Sequence, residues 1–301
     1  TRPMGDNYSI KLLSKEKVFN GFLYRFSHTS HVLSCTMNFH VYLPPVEHSS
    51  SANVPLLYFL SGLTCTDENF VQKAGAFAAL AKHSVALVAP DTSPRGDDVP
   101  DVEPKEWDFG KGAGFYVDAT QEPYNKNYKM YSYITVELPE VVQSLTASIS
   151  PDFGVIDHSR VGIFGHSMGG HGALTIYLKN QSKYKSVSAF APICNPTHEG
   201  CEWGQKNLSR YLGTSEQQKE DWKQYSAVEL INQLSSSSAS SVEIYVDQGT
   251  EDSFLPKGQL RVDELKKACD EKNINCTVNY REGYTHGYWF VQTFVADHIE
   301  Y

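Results

Sequence analysis

Short, nearly continuous apolar runs recur along the chain and constrain its fold more than any other feature of the sequence. Runs of this kind are typical of strands buried on both faces, as in a parallel sheet covered by helices. Helix-like stretches separate most of them, so strands and helices alternate and the sequence predicts an α/β protein. The apolar runs are 55–60, 85–90, 160–164, 187–191, 242–246 and 276–280, and the helix-like stretches are 69–82, 131–148, 169–179, 258–272 and 291–301.

The segments ahead of these runs have a different pattern. Residues 21–26 and 37–43 alternate apolar and polar side chains, as half-buried strands do, and Pro44 and Pro45 end the second segment. We therefore expect the sheet to open with antiparallel strands. Together with the buried runs, this predicts a mostly parallel central sheet of about eight strands with helices on both faces.

No internal repeat divides the chain, and α/β enzymes of about 300 residues often form one domain. We expect residues 1–301 to be a single domain, with residues 1–17 as an N-terminal extension in which anything before Met4 is an addition to the natural chain. Two segments lack helix or strand periodicity. Residues 92–129 predict a structured loop near a site, with a surface excursion as the alternative, and the serine-rich stretch 235–241 predicts a surface loop.

Composition and charge narrow the class of protein. Of 301 residues, 41% are hydrophobic and 20% charged, which is typical of a globular protein with a sizeable core. The formal net charge of −9 makes a nucleic-acid partner unfavourable. Because no stretch approaches the roughly 20 apolar residues of a membrane span, and residues 1–17 lack the apolar core of a signal peptide, we expect no membrane association and a cytosolic location. The six cysteines form no CxxC pair, so we expect no metal site and no disulfide framework.

The sharpest chemical signal is the pentapeptide Gly165-His166-Ser167-Met168-Gly169, which follows a predicted strand and precedes a predicted helix. In the GxSxG nucleophile elbow the serine sits on a strained strand-to-helix turn, and the glycines leave room for neighbouring chain. The turn exposes the serine Oγ, and the helix N-terminus favours developing negative charge. In this context the motif predicts that Ser167 is a nucleophile.

A serine hydroxyl is a weak nucleophile until a base removes its proton, so a carboxylate and then a histidine should follow Ser167 in the chain. His286 lies in a loop after the last predicted strand, whereas His298 lies in a helix-like stretch, so we expect His286 to be the base. For the acid, the loop after the predicted strand 242–246 offers three carboxylates, and position does not separate the second from the third. They are Asp247, which is close to the strand end, Glu251 and Asp252.

A tetrahedral intermediate needs backbone N–H donors near its oxyanion. One donor should come from Met168, the residue after Ser167, and the other from the loop that follows an earlier strand. Within the loop 61–64 we expect Leu63 to be that second donor. The alternative interpretation of the loop is an ordinary glycine turn.

From about residue 38 to the C-terminus, the chain resembles the S-formylglutathione hydrolase family, also called esterase D. The resemblance depends on many short blocks that occur in one order. These blocks are FLSGLTCT at 59–66, DTSPRG at 91–96, WDFG at 107–110, GAGFY at 112–116, GHSMGG at 165–170, AFAP at 189–192, WGQK at 203–206, DQG at 247–249 and YTH at 284–286.

The resemblance implies an α/β-hydrolase fold and specific roles for the residues. It implies Ser167 as nucleophile, Asp252 as orienting acid and His286 as base, and it favours Asp252 over Glu251. One departure is visible, because Gly287 follows the histidine where the family pattern Asp-His-Ser has serine, and Thr285 precedes it. The implied oxyanion-hole donors are the N–H groups of Leu63 and Met168.

The resemblance also implies an activity. The family hydrolyses the thioester S-formylglutathione to formate and glutathione through a formyl-serine intermediate, in formaldehyde detoxification, and it also cleaves short-chain aryl esters. It needs no cofactor, and its members are typically cytosolic and commonly homodimeric. The partner expected here is therefore a small-molecule glutathione thioester, together with a second copy of the chain.

Several substrate contacts are open. Because formyl is the smallest acyl group, we expect a tight acyl pocket, with Trp203 and Trp107 as candidate walls or, equally, as core packing. Cys65 lies beside the oxyanion loop, so thiol reagents should inhibit through it, and Cys65→Ser should relieve the inhibition. No arginine cluster predicts how the charges of glutathione are met. Possible contacts are Arg95, Lys111 and Lys206.

Rival functions follow from the same residues. A general short-chain carboxylesterase or acyltransferase would share the fold and the nucleophile but act on bulkier oxygen esters. A non-catalytic hydrolase-fold binding module would usually lack a member of the triad, and all three candidates are present here. A cysteine hydrolase centred on Cys65 is disfavoured because the elbow already presents Ser167.

Overall fold

A nine-stranded sheet forms the centre of the molecule in the computed structural model, which describes residues 8–45 and 53–301. The expected addition before Met4 lies outside the described residues. The strands run in the spatial order β1-β2-β3-β5-β4-β6-β7-β8-β9. They are β1 Lys11–Val18, β2 Gly21–Ser30, β3 Cys35–Leu43, β4 Val54–Leu60, β5 Ala86–Pro90, β6 Ile156–His166, β7 Tyr184–Phe190, β8 Glu243–Gly249 and β9 Asn275–Arg281.

Strand direction divides the sheet into two parts. Strands β1, β2 and β3 pair antiparallel, and β3 also pairs antiparallel with β5. From β5 through β4, β6, β7 and β8 to β9, every pairing is parallel. The predicted antiparallel opening is therefore confirmed, and all six runs are strands. The prediction that they are buried was wrong for 276–280, because β9 lies at the edge of the sheet and only Cys276 on it is buried.

The first strand was not predicted, and it lies in the part of the chain expected to be an extension. Strand β1 pairs with β2 along most of its length, through a two-residue turn in which Phe19 and Asn20 both have positive φ, at 45° and 61°. Its side chains are exposed or half-buried, because it lies at the edge of the sheet. An exposed edge strand lacks the burial that creates a period-two pattern, which explains why β1 was not predicted.

Helices fill most of the connections between the strands. None of those in the ranges 8–45 and 53–301 combines the length and the apolar character that crossing a bilayer requires. The helices are α1 Asp67–Lys73, α2 Phe77–Lys82, α3 Met130–Ser132, α4 Leu138–Ser148, α5 Met168–Lys179, α6 Glu202–Leu212, α7 Glu216–Trp222, α8 Ala227–Gln233, α9 Ser236–Ala239, α10 Val262–Glu271 and α11 Tyr288–Glu300, with a π-helical turn at Tyr133–Glu137 and 3₁₀ turns at Tyr124–Lys126, Pro151–Val155 and Lys223–Tyr225.

Three predicted segments differ in detail. The stretch 69–82 is two helices, because Gly75 between them has a left-handed φ of 64° and interrupts the helix. The stretch 258–272 is helical only over α10. The serine-rich stretch 235–241 contains the short helix α9, capped by the side chain of Ser235, so its prediction as a loop was wrong.

Chain direction in the sheet determines where a site can form. The chain moves from β4 to β5 in one direction and from β6 through β7 and β8 to β9 in the other, so right-handed crossovers put the connecting helices on opposite faces. In agreement, α11 packs against α2, whereas α8 packs against α5 and α10. Ligands of such sheets bind outside the carboxyl ends of the strands where the order reverses. Here that place is beside β4 and β6.

The long segment 92–129 packs against this part of the sheet. Tyr116, which is fully buried, donates its hydroxyl to Ser61 O at 2.9 Å. The Thr64 N–H donates to Gly112 O at 2.9 Å. The segment therefore supports the loop after β4, which confirms the prediction of a structured loop and makes the surface excursion wrong.

Candidate active site

Ser167 lies at the turn between β6 and α5, with a backbone φ of 59° and ψ of −118°. A positive φ is strained for a residue with a side chain, and such strain persists only where the surroundings hold it. Three backbone hydrogen bonds do so here. The Ser167 N–H donates to Phe190 O at 2.9 Å, and Ser167 O accepts the N–H groups of His171 at 3.0 Å and Ile193 at 3.3 Å. The turn has the conformation that the GxSxG motif predicted.

The glycines of this turn are required by close backbone contacts. A Cβ on Gly169 would lie 1.9 Å from Leu60 O, and one on Gly165 would lie 2.2 Å from Gly169 O. The loop after β4 is equally close, because a Cβ on Gly62 would lie 3.1 Å from the Cβ of Ser167. The close packing brings the loop after β4 against the turn that carries the serine.

A buried acid–base pair lies on the loops after β8 and β9. His286 Nδ1 donates to Asp252 Oδ2 at 2.5 Å, and the Asp252 carboxylate is 1% exposed. The carboxylate also accepts the Phe254 N–H at 2.9 Å and Gln248 Nε2 at 3.2 Å. Burial alone would raise the pKa of Asp252, but these hydrogen bonds and the charge of His286 outweigh it and hold the pKa below its usual value. Asp252 is therefore ionised and fixes which nitrogen of His286 carries its proton.

The other two carboxylates considered for the acid have different surroundings. Asp247 lies within β8, is fully buried and pairs with Arg281 at 2.9 Å, which makes it part of the core. Glu251 is exposed. Of these three described carboxylates, Asp252 is the one in contact with His286.

His298, the alternative histidine, lies away from the elbow on α11. Its Nδ1 bonds the Ser188 hydroxyl at 2.8 Å, and its ring stacks on Phe190 at 3.6 Å. These contacts hold it in the core between the sheet and α11. Its Nε2 also faces the buried Asp247 at 3.6 Å, so both ring nitrogens are directed at core residues.

A second histidine, His166, connects the two halves of the site. Its Nε2 donates to the backbone carbonyl of His286 at 2.8 Å, and the two rings are 4.7 Å apart. Burial lowers the pKa of His166 to about 3, so the ring stays neutral. Among the described residues this contact joins the serine turn to the histidine loop, and Ser167 Oγ forms no hydrogen bond to His286. Hydrogen bonds between a nucleophile and its base often tighten only when substrate binds. The sequence offered one signal for it, a histidine directly before the nucleophile.

The two predicted oxyanion donors lie on the loops that Gly62 brings together. Within the described chain, the Leu63 N–H has no backbone acceptor. Met168 is the first residue of α5, and N–H groups in a first helical turn lack an acceptor inside the helix. Neither N–H group is therefore used by the backbone around Ser167.

Cys65 is buried just beyond the oxyanion loop. Its side chain is 8% exposed and lies next to the hydroxyl of Tyr288, whose ring is 5.8 Å from that of His166. Burial raises the pKa of the Cys65 thiol and thereby lowers its thiolate fraction. Cys65 is therefore close to the site, but its thiol is less reactive than an exposed thiol.

Both tryptophans singled out from the sequence lie on the His286 side of the site. Trp203 is buried. Its ring packs edge-on against Trp107 at 5.8 Å and at a tilt against Phe254 at 4.6 Å. The Phe254 ring lies 4.9 Å from the His286 ring. The aromatic chain from Trp107 to His286 includes Phe254, which the sequence analysis did not single out because only the folded loops bring it there.

The three cations proposed for substrate charges differ in availability. Arg95 pairs with Asp91 at 2.8 Å, and Lys206 pairs with Asp108 and Glu106, each at 2.8 Å. Lys111 is half-buried and forms no ion pair within the described ranges. Two of the three cations are therefore already neutralised by the protein.

The site as a whole is suited to acyl transfer. It offers a strained serine, a histidine with a buried carboxylate and two backbone donors, which is what attack on a carbonyl carbon requires. Across residues 8–45 and 53–301 there is no group of three or more His, Cys, Asp or Glu side chains that could hold a metal ion.

Comparison with known proteins identifies the class. A family model described as putative esterase matches residues 30–301. The chain therefore belongs to this esterase family, and its fold is the α/β-hydrolase fold, as predicted.

More specific relatives define its place in that class. The S-formylglutathione hydrolase of Mus musculus is 48% identical over 97% of each chain, and that of Arabidopsis thaliana is 48% identical over 96% of this chain and 95% of its own. A solved structure of an S-formylglutathione hydrolase from Agrobacterium tumefaciens is 42% identical, covers 96% of this chain and 97% of its own, and matches with a TM-score of 0.85. The chain belongs to the S-formylglutathione hydrolase family, so the resemblance seen in the sequence is confirmed.

Proposed function

We propose that the protein hydrolyses S-formylglutathione to formate and glutathione through a formyl-serine intermediate. The observation that carries this proposal is the 2.5 Å bond between Asp252 and His286, on a loop joined by His166 to the turn of Ser167. The length over which the chain matches S-formylglutathione hydrolases supports the substrate.

In the first half of the reaction, Ser167 Oγ attacks the formyl carbon while His286 Nε2 takes its proton. Asp252 holds the proton on Nδ1 and stabilises the imidazolium that forms. The carbonyl oxygen becomes an oxyanion and accepts hydrogen bonds from the N–H groups of Leu63 and Met168. These residues act together as nucleophile, acid, base and oxyanion hole.

Collapse of the tetrahedral intermediate breaks the carbon–sulfur bond. Glutathione leaves as a thiolate that takes the proton from His286, so the ring is neutral again and the formyl group stays on Ser167. A water then gives its proton to His286 and attacks the ester, which releases formate and returns the proton to Ser167. Because a thiolate is a good leaving group, the oxyanion hole contributes more than acid assistance. No step needs a cofactor.

We also propose that the chain is a single domain, works in the cytosol in formaldehyde detoxification, forms a homodimer and cleaves short aryl esters as a side activity. One continuous cluster of buried side chains supports the single domain. All six cysteines are free thiols, which supports a reducing compartment. Sedimentation of the purified protein tests the dimer.

The experiment for the main proposal compares wild type with Ser167→Ala. We expect wild type to release formate from S-formylglutathione and to be labelled at Ser167 by a fluorophosphonate. The alanine variant should lose both properties. Ser236→Ala, an exposed serine on α9, is the matched control and should keep both. If wild type is labelled but does not hydrolyse the thioester, the protein is a general esterase. If wild type is neither labelled nor active, it is a binding module.

A further inference from the structure

A small cleft lies beside His286 and is not used by the chemistry above. It encloses about 220 Å³. Pockets that take whole drug-sized ligands have about 300–1,000 Å³, so this cleft suits one end of a ligand. Its lining is Trp107, Asp108, Glu202, Trp203, Lys206, Phe254, Lys257 and Gln259.

The position of the cleft connects it with the leaving group. Phe254, which lines it, lies 4.9 Å from the His286 ring, and its N–H bonds the Asp252 carboxylate. In serine acyl transfer the histidine returns its proton to the leaving group, so the leaving group departs on the histidine side. Trp107 and Trp203 pack next to Phe254 and so lie on this histidine side of the site.

Two charges in the cleft are free. Lys206 is held by Asp108 and Glu106, so it has no charge left for a ligand. Lys257 is exposed, with its Nζ 5.3 Å from the centre of the Phe254 ring, and Glu202 is exposed at the start of α6. Neither forms an ion pair with any described residue. One positive and one negative group therefore face the same cavity.

A buried amide adds a third contact. Gln259 is 4% exposed, and its Oε1 accepts the Trp203 N–H at 3.0 Å, which fixes the orientation of the amide. Within the described part of the chain, its Nε2 has no acceptor. Gln259 lines the cleft, so a ligand oxygen there would give its Nε2 an acceptor.

We propose that this cleft binds the γ-glutamyl end of glutathione, with the α-carboxylate on Lys257, the α-ammonium on Glu202 and Gln259 Nε2 donating to a ligand oxygen. The assignment depends on the proposed function. The γ-glutamyl end carries both charges, whereas the glycine end carries a carboxylate alone, which Glu202 would repel. The span is also suitable. Lys257 Nζ lies 5.3 Å and the His286 ring 4.9 Å from the centre of the Phe254 ring, so both are within reach of an extended tripeptide, which covers roughly 10 Å.

The experiment compares two thioesters, S-formylglutathione and S-formyl-N-acetylcysteinylglycine, in which an acetyl group replaces the γ-glutamyl end. For Lys257→Met and Glu202→Gln, the rise in KM relative to wild type should be about threefold to tenfold larger with S-formylglutathione, with little change in kcat. Lys267→Met, an exposed lysine on α10, is the matched control and should show no such difference. Both cleft residues are exposed, so the variants should fold, and thermal unfolding checks this. An equal rise in KM for the two thioesters, or no rise, would overturn the subsite.

A non-reacting probe separates failure of the subsite from failure of the proposed function. S-methylglutathione should inhibit hydrolysis of 4-nitrophenyl acetate competitively, and Lys257→Met should weaken that inhibition. If wild type does not hydrolyse S-formylglutathione but the probe behaves as described, the function is wrong and the subsite stands. If the thioester is hydrolysed but Lys257→Met binds the probe as wild type does, the function stands and the subsite is wrong.

Discussion

Replacement of Asp252 by asparagine tests the acid directly, because the two carboxylate oxygens of Asp252 accept hydrogen bonds from different donors. Oδ1 accepts the Phe254 N–H at 2.9 Å, while Oδ2 accepts His286 Nδ1 at 2.5 Å and Gln248 Nε2 at 3.2 Å. An asparagine amide has one oxygen and one NH₂ group. If the NH₂ group points toward His286, it meets two donors, His286 Nδ1 and Gln248 Nε2, and favours the wrong tautomer of the imidazole. If the NH₂ group points toward Phe254, it meets the Phe254 N–H, which then has no acceptor.

The magnitude follows from these two losses. A histidine in the wrong tautomer lowers kcat by about 10⁴ in serine hydrolases of this type, which is about 5.5 kcal/mol of transition-state stabilisation. The donor left without an acceptor in either orientation reduces stability by about 1–3 kcal/mol. We therefore expect Asp252→Asn to fold with a lower melting temperature and to lose about three to four orders of magnitude in kcat/KM.

The assay is hydrolysis of S-formylglutathione and of 4-nitrophenyl acetate, with thermal unfolding measured on the same samples. Glu251→Gln is the matched control, since it removes the same charge from the exposed neighbouring residue. It should change kcat/KM less than twofold. The reasoning is refuted if Asp252→Asn keeps more than a tenth of wild-type activity, or if Glu251→Gln shows the larger loss.

Three further predictions concern packing, pH and thiol chemistry. In Gly169→Ala the new Cβ would lie 1.9 Å from a backbone oxygen, so the elbow must shift by about 1 Å and kcat should fall at least about 10²-fold. The control is Gly154→Ala, whose Cβ would lie 3.4 Å from its nearest atom and whose kcat should match that of wild type. Burial lowers the pKa of His171 to about 4. The buried neutral ring therefore contributes fully to the free energy of unfolding above about pH 6.5, and this contribution falls as the pH falls toward 4. The loss is about 2 kcal/mol at pH 5. Denaturant titrations should show a shallower acid slope in His171→Gln, which keeps a donor for the carbonyl it bonds; an unchanged slope would contradict the assignment. Methyl methanethiosulfonate should inhibit slowly, because the Cys65 thiol is buried, and Cys65→Ser should remove that inhibition; a variant as sensitive as wild type contradicts it.

The parallel strands from β5 to β8 could be predicted because each is a short run with a buried apolar core; β9 was also predicted, although at the sheet edge only its Cys276 is buried. Strand β1 could not, since its exposed residues at the sheet edge carry no burial pattern. The break at Gly75 was also missed, because the sequence does not show that this glycine adopts a left-handed φ. Local pattern predicts elements where burial imposes a period, and fails where the tertiary structure decides.

The candidate site shows the same division. Ser167 follows from a motif that is local in sequence, and His286 from the order of residues along the chain. The choice between Glu251 and Asp252 is a matter of side-chain direction, which position alone cannot give; the family resemblance favoured Asp252, and the geometry agrees. The contact of His166 with the His286 carbonyl joins residues 120 positions apart in sequence. Only the folded sheet brings those two loops together.

The most direct test of the account is the relative kcat/KM for S-formylglutathione, S-acetylglutathione and 4-nitrophenyl acetate, with Ser167→Ala measured alongside. We predict the highest value for the formyl thioester, a steep loss on going to acetyl, and no activity in the variant. Comparable or faster hydrolysis of the aryl ester, with a poor rate on the formyl thioester, would contradict the proposed substrate and leave a general esterase on the same fold.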